Sequence, residues 1–440
     1  MPLKPDIVKL EYQSDSSVYF KRLQSLKHPV WLDSGKPASA FGRYDIISAE
    51  PVDVLVDVPV AAIENAVSKL TAGTDMSEVN QLQLPFCGGA IGFFNYEYNH
   101  ETFGLHTTAG TGACAFGIFN WCLVQDHENQ VCFAVFLPSC DSEKKASLLN
   151  LLDTDTGEPE PAFKAPQVTV DTSRPDYLAT VEKIHSLILA GDTYQINLSQ
   201  RFHGQFDGSA AGAYLKLRKA SPSPYAAYLD LTGQSSILCL SPEQFITIDG
   251  GKAITRPIKG TAARSSNPFN DQVLAQDLLN SKKNRAENLM IVDLLRNDFS
   301  KCCELNSVKA PVLCELESFA NVHHLVSTVE GVPKQSITPL EFLMHCFPGG
   351  SITGAPKRRS MEIIDQLEKH RRGIYCGSIC YLSAHGRFDS NIAIRTVLIE
   401  NNHFYCWGGG GIVADSNAEE EYAESIQKIQ LLMDTLRKHN

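Results

Sequence analysis

Arg256-Pro257-Ile258-Lys259-Gly260-Thr261 is the stretch on which the reading of this chain turns. It follows the β-prone run 253–257 and meets a glycine, which puts Lys259 at a strand end. An isolated lysine is ordinarily a solvated surface charge. A desolvated one has a lowered pKa and becomes an amine nucleophile. Glu243, in Ser241-Pro242-Glu243-Gln244, lies 16 residues upstream, about one hairpin pair away. It is either a surface carboxylate at a strand start or the neighbour of Lys259 in one cleft. An amine nucleophile beside a carboxyl acid–base suits displacement of a poor leaving group such as hydroxide.

Outward from this stretch, β runs and helical patterns alternate. Strands fit 195–202, 236–240, 245–248, 322–329, 374–383, 392–400 and 403–407. Helices fit 176–190, 271–280, 285–295, 340–346, 357–369 and about 418–438. In the first 150 residues, Val52, Val54, Val56 and Val58 alternate with Asp53, Leu55 and Asp57, the period of a half-buried strand. A helix fits 61–70, and strands fit 85–94, 115–124 and 131–137. Residues 153–167 carry acids, Gly157 and three prolines, which reads as a connection between two halves.

The whole chain has 440 residues, 43% of them hydrophobic, and a formal net charge of −11. Length alone suggests about three domains. The acidic balance lacks the basic stripe that displaces counterions from a nucleic acid, so a general polyanion binder is excluded. No uninterrupted apolar run approaches ~18 residues, and no charged-then-apolar leader opens the chain, so neither a membrane span nor a signal peptide is expected. The 13 cysteines form no Cys-x-x-Cys pair and no zinc pattern with His. Free, mostly buried thiols in a reducing cytoplasm are the expectation.

Other stretches carry chemistry of their own. Glu287 lies early in a helix rich in Leu289, Ile291, Val292 and Leu294, while Glu421 and Glu424 are three apart and share a helix face. Three carboxylates on two helices suit a hard cation that keeps room for water and an anion, as Mg²⁺ does. The plainer reading of 419–424 is an acidic first turn favoured by the helix dipole. Lys428 shares the face of Glu424, where an ordinary ion pair is the simplest account. Pro348-Gly349-Gly350-Ser351-Ile352-Thr353-Gly354-Ala355-Pro356-Lys357 precedes a helix and offers backbone N–H groups to an anion, but lacks P-loop spacing. Gly408–Gly411 is either a turn with a bulge or a place of close ligand approach. His324 and Arg395 fall on β runs; buried, each needs a partner, and arginine pairs well with a bidentate carboxylate.

Taken in order, these stretches resemble the chorismate-utilising enzymes, and the resemblance covers nearly the whole chain, most strongly 192–428. It implies an α/β fold of the α+β type: two packed antiparallel sheets form the core and helices lie outside, as in anthranilate synthase. Pro257-Ile258-Lys259-Gly260-Thr261 is the mark of the branch that aminates chorismate at C4, where anthranilate and isochorismate synthases have a small residue in place of Lys259. Gln195, where water-using members carry a lysine base, points to ammonia as the incoming nucleophile. The implied chemistry has Lys259 attack C2 as C4 hydroxide leaves; ammonia then adds at C4 and expels the lysine, giving 4-amino-4-deoxychorismate for 4-aminobenzoate and folate synthesis. Glu243 is the implied proton donor and acceptor. Glu287, Glu421 and Glu424 would hold Mg²⁺ on the ring carboxylate, beside Lys428. Tyr375, Arg395 and Gly411 would grip the enolpyruvyl carboxylate, Thr261 and His324 would line the ring, and Lys357, which ends a family motif, is placed at the substrate. Two departures stand out: Cys380 where the family has glycine before Tyr381, and Asn284 where some relatives have an acid near the metal.

Residues 1–152 then form an N-terminal region co-folded with a chorismate-binding region, 168–440. Leu32-Asp33-Ser34-Gly35 and Gly42-Arg43-Tyr44-Asp45-Ile46 resemble a tryptophan pocket of the family, with Ser34 its candidate contact. No glutaminase triad is evident, so a separate glutamine amidotransferase subunit is the implied ammonia source. The alternatives are an anthranilate-forming enzyme and a non-catalytic amino-acid-binding subunit on the same fold.

Overall fold

The computed structural model describes residues 3–39, 41–105, 113–154, 162–318 and 322–437. Two antiparallel sheets dominate it. The 12-stranded sheet runs Asp6–Leu10, Val131–Phe136, Trp121–Asp126, Tyr44–Ser48, Val30–Asp33, Tyr225–Leu229, Ser235–Ser241, Thr396–Glu400, His403–Ile412, Gln195–Gln205, Thr169–Val170, with Gly354–Ala355 beside Gln195–Gln205. The 10-stranded sheet runs Ile258–Ala263, Val322–Gly331, Lys252–Thr255, Gln244–Asp249, Phe388–Asn391, Ser378–Ser383, Gly89–Phe94, Cys114–Phe119, Asp53–Val56, with Lys309–Ser318 also on Val322–Gly331. Each sheet takes strands from both sides of the 153–167 connection, so the chain does not divide there into separate cores. Residues 155–161 of that connection lie outside the described residues.

The apolar runs decide how the sheets meet. Val30, Ile46, Val124 and Leu229 of the first sheet share a buried cluster with Ile91, Phe93, Ala115, Ile379 and Tyr381 of the second. Removing this much apolar surface from water is the main driving force for the sandwich. The outer face of the first sheet is covered by helices Ser142–Asp153, Ala210–Ala220 and Ala418–Arg437, whose Leu148, Leu217 and Leu432 join Trp31, Trp121 and Leu238. Helices Lys282–Cys302 and Pro339–Cys346 pack Ile291, Leu295 and Leu343 against Phe245 and Val329 of the second sheet.

Three expectations from the sequence need correction. Residues 115–124 are not one strand: the chain leaves the second sheet at Phe119 and enters the first at Trp121. Both halves are apolar because each is buried, so periodicity could not show the crossing. Val52 and Val56 are exposed, at 53% and 44%, because Asp53–Val56 is the sheet's edge strand. Gly408–Gly411 is neither turn nor bulge but the continuation of strand His403–Ile412. The 13 cysteines are free, and only Cys140 is not buried.

Candidate active site

Strand Ile258–Ala263 pairs with Val322–Gly331 through a register shift between Ile258 and Thr261. Lys259 therefore sits in an irregular stretch inside a strand, not at its end. Gly260 adopts φ +90°, which favours glycine, and a Cβ there would lie 3.1 Å from Asn284 at the start of helix Lys282–Cys302. The helix carrying Glu287 can thus close on the strand carrying Lys259. Lys259 Nζ donates to the Ser351 carbonyl at 3.1 Å, and Ser351 Oγ donates to Glu243 Oε1 at 3.0 Å. One residue of the glycine-rich 348–357 segment thereby joins the amine to the carboxyl.

The electrostatics of the pair follow from burial. Desolvation pushes the Lys259 ammonium down from its ordinary value, opposed by Glu243, Glu287 and Glu424, while Lys428 pushes the same way as burial. Desolvation pushes Glu243 up, opposed first by Lys259 and then by the Ser351 hydrogen bond. Both shifts favour the neutral forms: a free amine and a protonated carboxyl side by side, the states needed by a nucleophile and a general acid.

Thr261 and His324 oppose each other across the two strands, and their Oγ1 and Nδ1 are 3.0 Å apart. Burial, helped by the positive charge of Arg395, lowers the His324 imidazole to about 4, so it is neutral near pH 7. Arg395 does not lie on a strand; it precedes Thr396–Glu400 with φ +50°, an uncommon conformation for arginine. Its guanidinium makes no ion pair among the described residues, and desolvation lowers its pKa. The internal salt bridge open to it on sequence grounds is absent among the described residues, which leaves a half-buried cation acting on His324. Tyr375 is buried and stacks on Trp407, with centroids 6.0 Å apart and planes 5° apart.

The four glycines admit the C-terminal helix. A Cβ at Gly408 would stand 1.9 Å from the Ser425 carbonyl, and one at Gly410 would stand 3.1 Å from Glu421 Oε2, 3.5 Å from Glu424 Oε1 and 3.6 Å from Lys428 Nζ. Two carboxylates and a lysine converge over one bare strand position. Lys428 Nζ also donates to the Gly409 carbonyl at 3.0 Å and pairs with Glu424 at 2.6 Å. Glu421 is buried, accepts from Ser416 Oγ at 2.6 Å, and is pushed up by desolvation and by Glu424. No group of three His, Cys, Asp or Glu side chains among the described residues closes on a point by itself. Glu421 and Glu424 meet over Gly410, while Glu287 is felt at Lys259, so the three carboxylates named from the sequence are not gathered into one group; their oxygens are the donor type a hard cation takes.

Two sequence candidates are placed elsewhere. Lys357 Nζ is held by Asp298 Oδ2 at 2.6 Å and by the Cys346 carbonyl at 2.7 Å, so its ammonium pins two helix ends instead of pointing at this cleft. Ser34 gives its N–H and Oγ–H to Asp45 Oδ1 at 2.7 and 2.6 Å. It does not line the neighbouring cavity of about 330 Å³ between the sheets, which Asp33, Gly42, Arg43, Tyr44, Pro224 and Tyr225 help to form.

Sequence reasoning passed over Arg372. It is fully buried, pairs with Glu368, and donates to the Ile352 carbonyl at 2.8 Å and the Asn197 carbonyl at 2.6 Å. It ties the 348–357 segment to strand Gln195–Gln205. In sequence it is one more basic residue in a charged run, with nothing to mark it.

Residues 27–434 match the family of chorismate binding enzymes, and the chain belongs to that family. It is 39% identical over 456 residues to aminodeoxychorismate synthase component 1 of Salmonella typhimurium, covering 99% of each chain. The corresponding protein of Bacillus subtilis is 32% identical over 460 residues, covering 97% of this chain and 95% of that one. Anthranilate synthase component I from Streptococcus pneumoniae has the same fold, with a TM-score of 0.75 at 30% identity over 98% of this chain and 92% of that one. The two-sheet architecture is that of the anthranilate synthase component I-like enzymes.

Proposed function

We propose that this enzyme aminates chorismate to 4-amino-4-deoxychorismate, the step that leads to 4-aminobenzoate, through a covalent adduct on Lys259. The observation that carries the reading is the Lys259–Ser351–Glu243 relay, in which burial favours a free amine and a protonated carboxyl. Lys259 Nζ forms a bond to C2 of chorismate, the ring double bonds shift, and the C4–O bond breaks. Glu243 gives its proton to the departing hydroxide, which leaves as water. Ammonia then bonds to C4, the double bonds shift back, and the C2–N bond to Lys259 breaks. Glu243 carboxylate takes up the proton that ammonia loses.

The anionic substrate needs local positive charge on an acidic chain. Arg395, which has no ion pair among the described residues, and the stacked Tyr375 would take the enolpyruvyl carboxylate together with the Gly411 backbone. Thr261 and neutral His324 line the ring. Glu287, Glu421 and Glu424 would hold Mg²⁺, which supplies charge neutralisation at the ring carboxylate when bound, with Lys428 beside it. Lys357 is not part of this grip, because Asp298 already takes its charge.

Component 1 in the names of the relatives implies a second component, and the chemistry implies that it is a glutamine amidotransferase supplying ammonia. The decisive test is product identity with chorismate, Mg²⁺ and an ammonium salt. 4-Amino-4-deoxychorismate is expected; anthranilate fluorescence, or no turnover, overturns the reading. A cavity of about 330 Å³ beside Asp33 and Tyr44 supports tryptophan as a second ligand of the N-terminal region. Equilibrium dialysis with labelled tryptophan tests this, and absence of binding at high excess refutes it.

A further inference from the structure

Arg372 lies between helix Lys357–Leu367 and strand Ser378–Ser383, and it is 1% exposed. An arginine this deep needs its charge and its donors met. Nε donates to Glu368 Oε2 at 2.9 Å and Nη2 to Glu368 Oε1 at 2.8 Å, the two-pronged pairing that suits a guanidinium. Nη1 donates to the Ile352 carbonyl at 2.8 Å, and Nη2 also donates to the Asn197 carbonyl at 2.6 Å. Two rings lie against the cation: its carbon is 4.7 Å from the centre of Tyr96 and 6.0 Å from that of Tyr375.

One of these acceptors adjoins the amine–carboxyl pair. Ile352 follows Ser351, whose carbonyl takes Lys259 Nζ and whose hydroxyl donates to Glu243. The segment does not hold Ser351 firmly by its own backbone. Gly350–Ile352 is a single turn of 3-10 helix, and the bonds from Ile352 N–H to the Gly349 carbonyl and from Thr353 N–H to the Gly350 carbonyl are long, at 3.4 Å each. Shorter bonds from outside hold the peptides that follow Ser351. Asn197 N–H donates to the Thr353 carbonyl at 2.8 Å, while the Asn197 carbonyl accepts from Arg372. Arg372, Ile352, Thr353 and Asn197 thus close a ring of hydrogen bonds immediately after Ser351.

We propose that Arg372 is a positioning residue for this reaction: its grip on the Ile352 carbonyl sets Ser351, and Ser351 sets the aim of Lys259 and Glu243. This rests on the aminating reading above. It gives Arg372 no contact with substrate and no proton to carry. A misplacement of about 1 Å at the reacting groups can cost about a hundredfold in rate, so a residue one peptide away from Ser351 is close enough to be felt. Lysine in its place keeps the charge but offers one nitrogen where arginine offers three, and it cannot hold Glu368 and both carbonyls together.

The test uses the full chain with chorismate, Mg²⁺ and ammonium salts. Wild-type protein comes first; failure to form 4-amino-4-deoxychorismate there refutes the functional reading and this one with it. With turnover established, Arg372→Lys, Ser351→Ala and the double variant are compared at a temperature where all are folded. Arg372→Lys is expected to lower kcat by about fivefold or more, and a smaller loss overturns the proposal. Because Arg372 acts through Ser351, the loss in the double variant should fall short of the product of the two single losses by more than about threefold. A double loss that matches the product within about threefold overturns the proposal while leaving the functional reading intact, since a residue that serves only the fold lowers Tm and leaves the two losses independent. If Arg372→Lys does not fold, Arg372→Gln combined with Glu368→Gln, which removes both buried charges together, takes its place in the cycle.

Discussion

Replacing Lys259 by methionine removes one charge and one nucleophile while keeping an unbranched side chain of similar length. Its first effect is on Glu243. The carboxyl is raised by burial, and Lys259 is the largest influence opposing that rise. Ser351 links the two side chains, and a nearby lysine charge at an effective dielectric of ~20 favours the carboxylate by a few kcal/mol. Losing the lysine therefore drives Glu243 further up. The sign for stability follows. A raised carboxyl binds a proton in the folded state that the unfolded chain has released, so its stabilising contribution falls as pH rises. Urea denaturation of Lys259→Met should therefore lose stability relative to wild type as pH climbs above about 5, the more so the further Glu243 is raised. The second effect is chemical. Incubated with chorismate and Mg²⁺ but no ammonia, wild-type protein should gain the mass of chorismate less one water, localised to the peptide bearing Lys259. The variant should gain nothing, and its turnover with ammonium should drop by about a hundredfold or more, the scale of losing a positioned catalytic group. Slow residual amination by direct attack of ammonia is compatible with this. Wild-type turnover in Lys259→Met, or an adduct that persists without Lys259, would refute the covalent route.

Lys357→Met removes one of the two lysines on Asp298, whose side chain is 3% exposed; Lys301 stays at 2.9 Å, so the cost falls below the about 3–5 kcal/mol of a buried charge left wholly unpaired. The expected outcome is a lower Tm with KM for chorismate nearly unchanged; a large rise in KM at unchanged Tm would instead make Lys357 a substrate ligand. His324 titrates at about 4 when folded, against an ordinary value of 6.5, so the unfolded chain binds its proton first as pH falls. Its contribution to stability is thus lost progressively between about pH 6.5 and 4, reaching about 3 kcal/mol. Denaturant midpoints of wild type and His324→Phe should converge or cross as pH drops through that window; a constant offset would contradict a neutral, desolvated imidazole.

The sequence made the helices legible wherever one apolar stripe faced the core. Val60–Thr71 and Ala418–Arg437 lie within a residue or two of their expected bounds. It was least legible where both faces of a segment are buried, as at 114–126, or where polar strands lie at an edge, as at Lys309–Ser318, whose residues are mostly exposed or half-buried. Periodicity carries no signal in the first case and reads as loop in the second. The site divides along a different line. Lys259, Glu243 and the C-terminal acids were recognisable because each sits in a run of unusual residues. Their meeting was not, since it depends on Ser351 from a third segment and on Gly410 giving up its side chain so that Glu421 and Glu424 can stand over the strand.

Arg395 and Lys357 show why residue type alone could not separate ligand from scaffold. Both are basic residues in family motifs, and both come close to buried backbone. Lys357 meets a carboxylate, so its charge is neutralised within the fold and its loss is a stability matter. Among the described residues Arg395 meets none; no acid there compensates its desolvation, and its backbone is held at φ +50°. An uncompensated cation in a strained conformation raises the free energy of the folded state. On the proposed function that cost would be recovered when the substrate carboxylate arrives, since the same desolvation strengthens a charge-assisted, bidentate pair. On the proposed function, a binding site for a dicarboxylate on a chain of net charge −11 would be built less by adding positive residues than by leaving a chosen one unpaired.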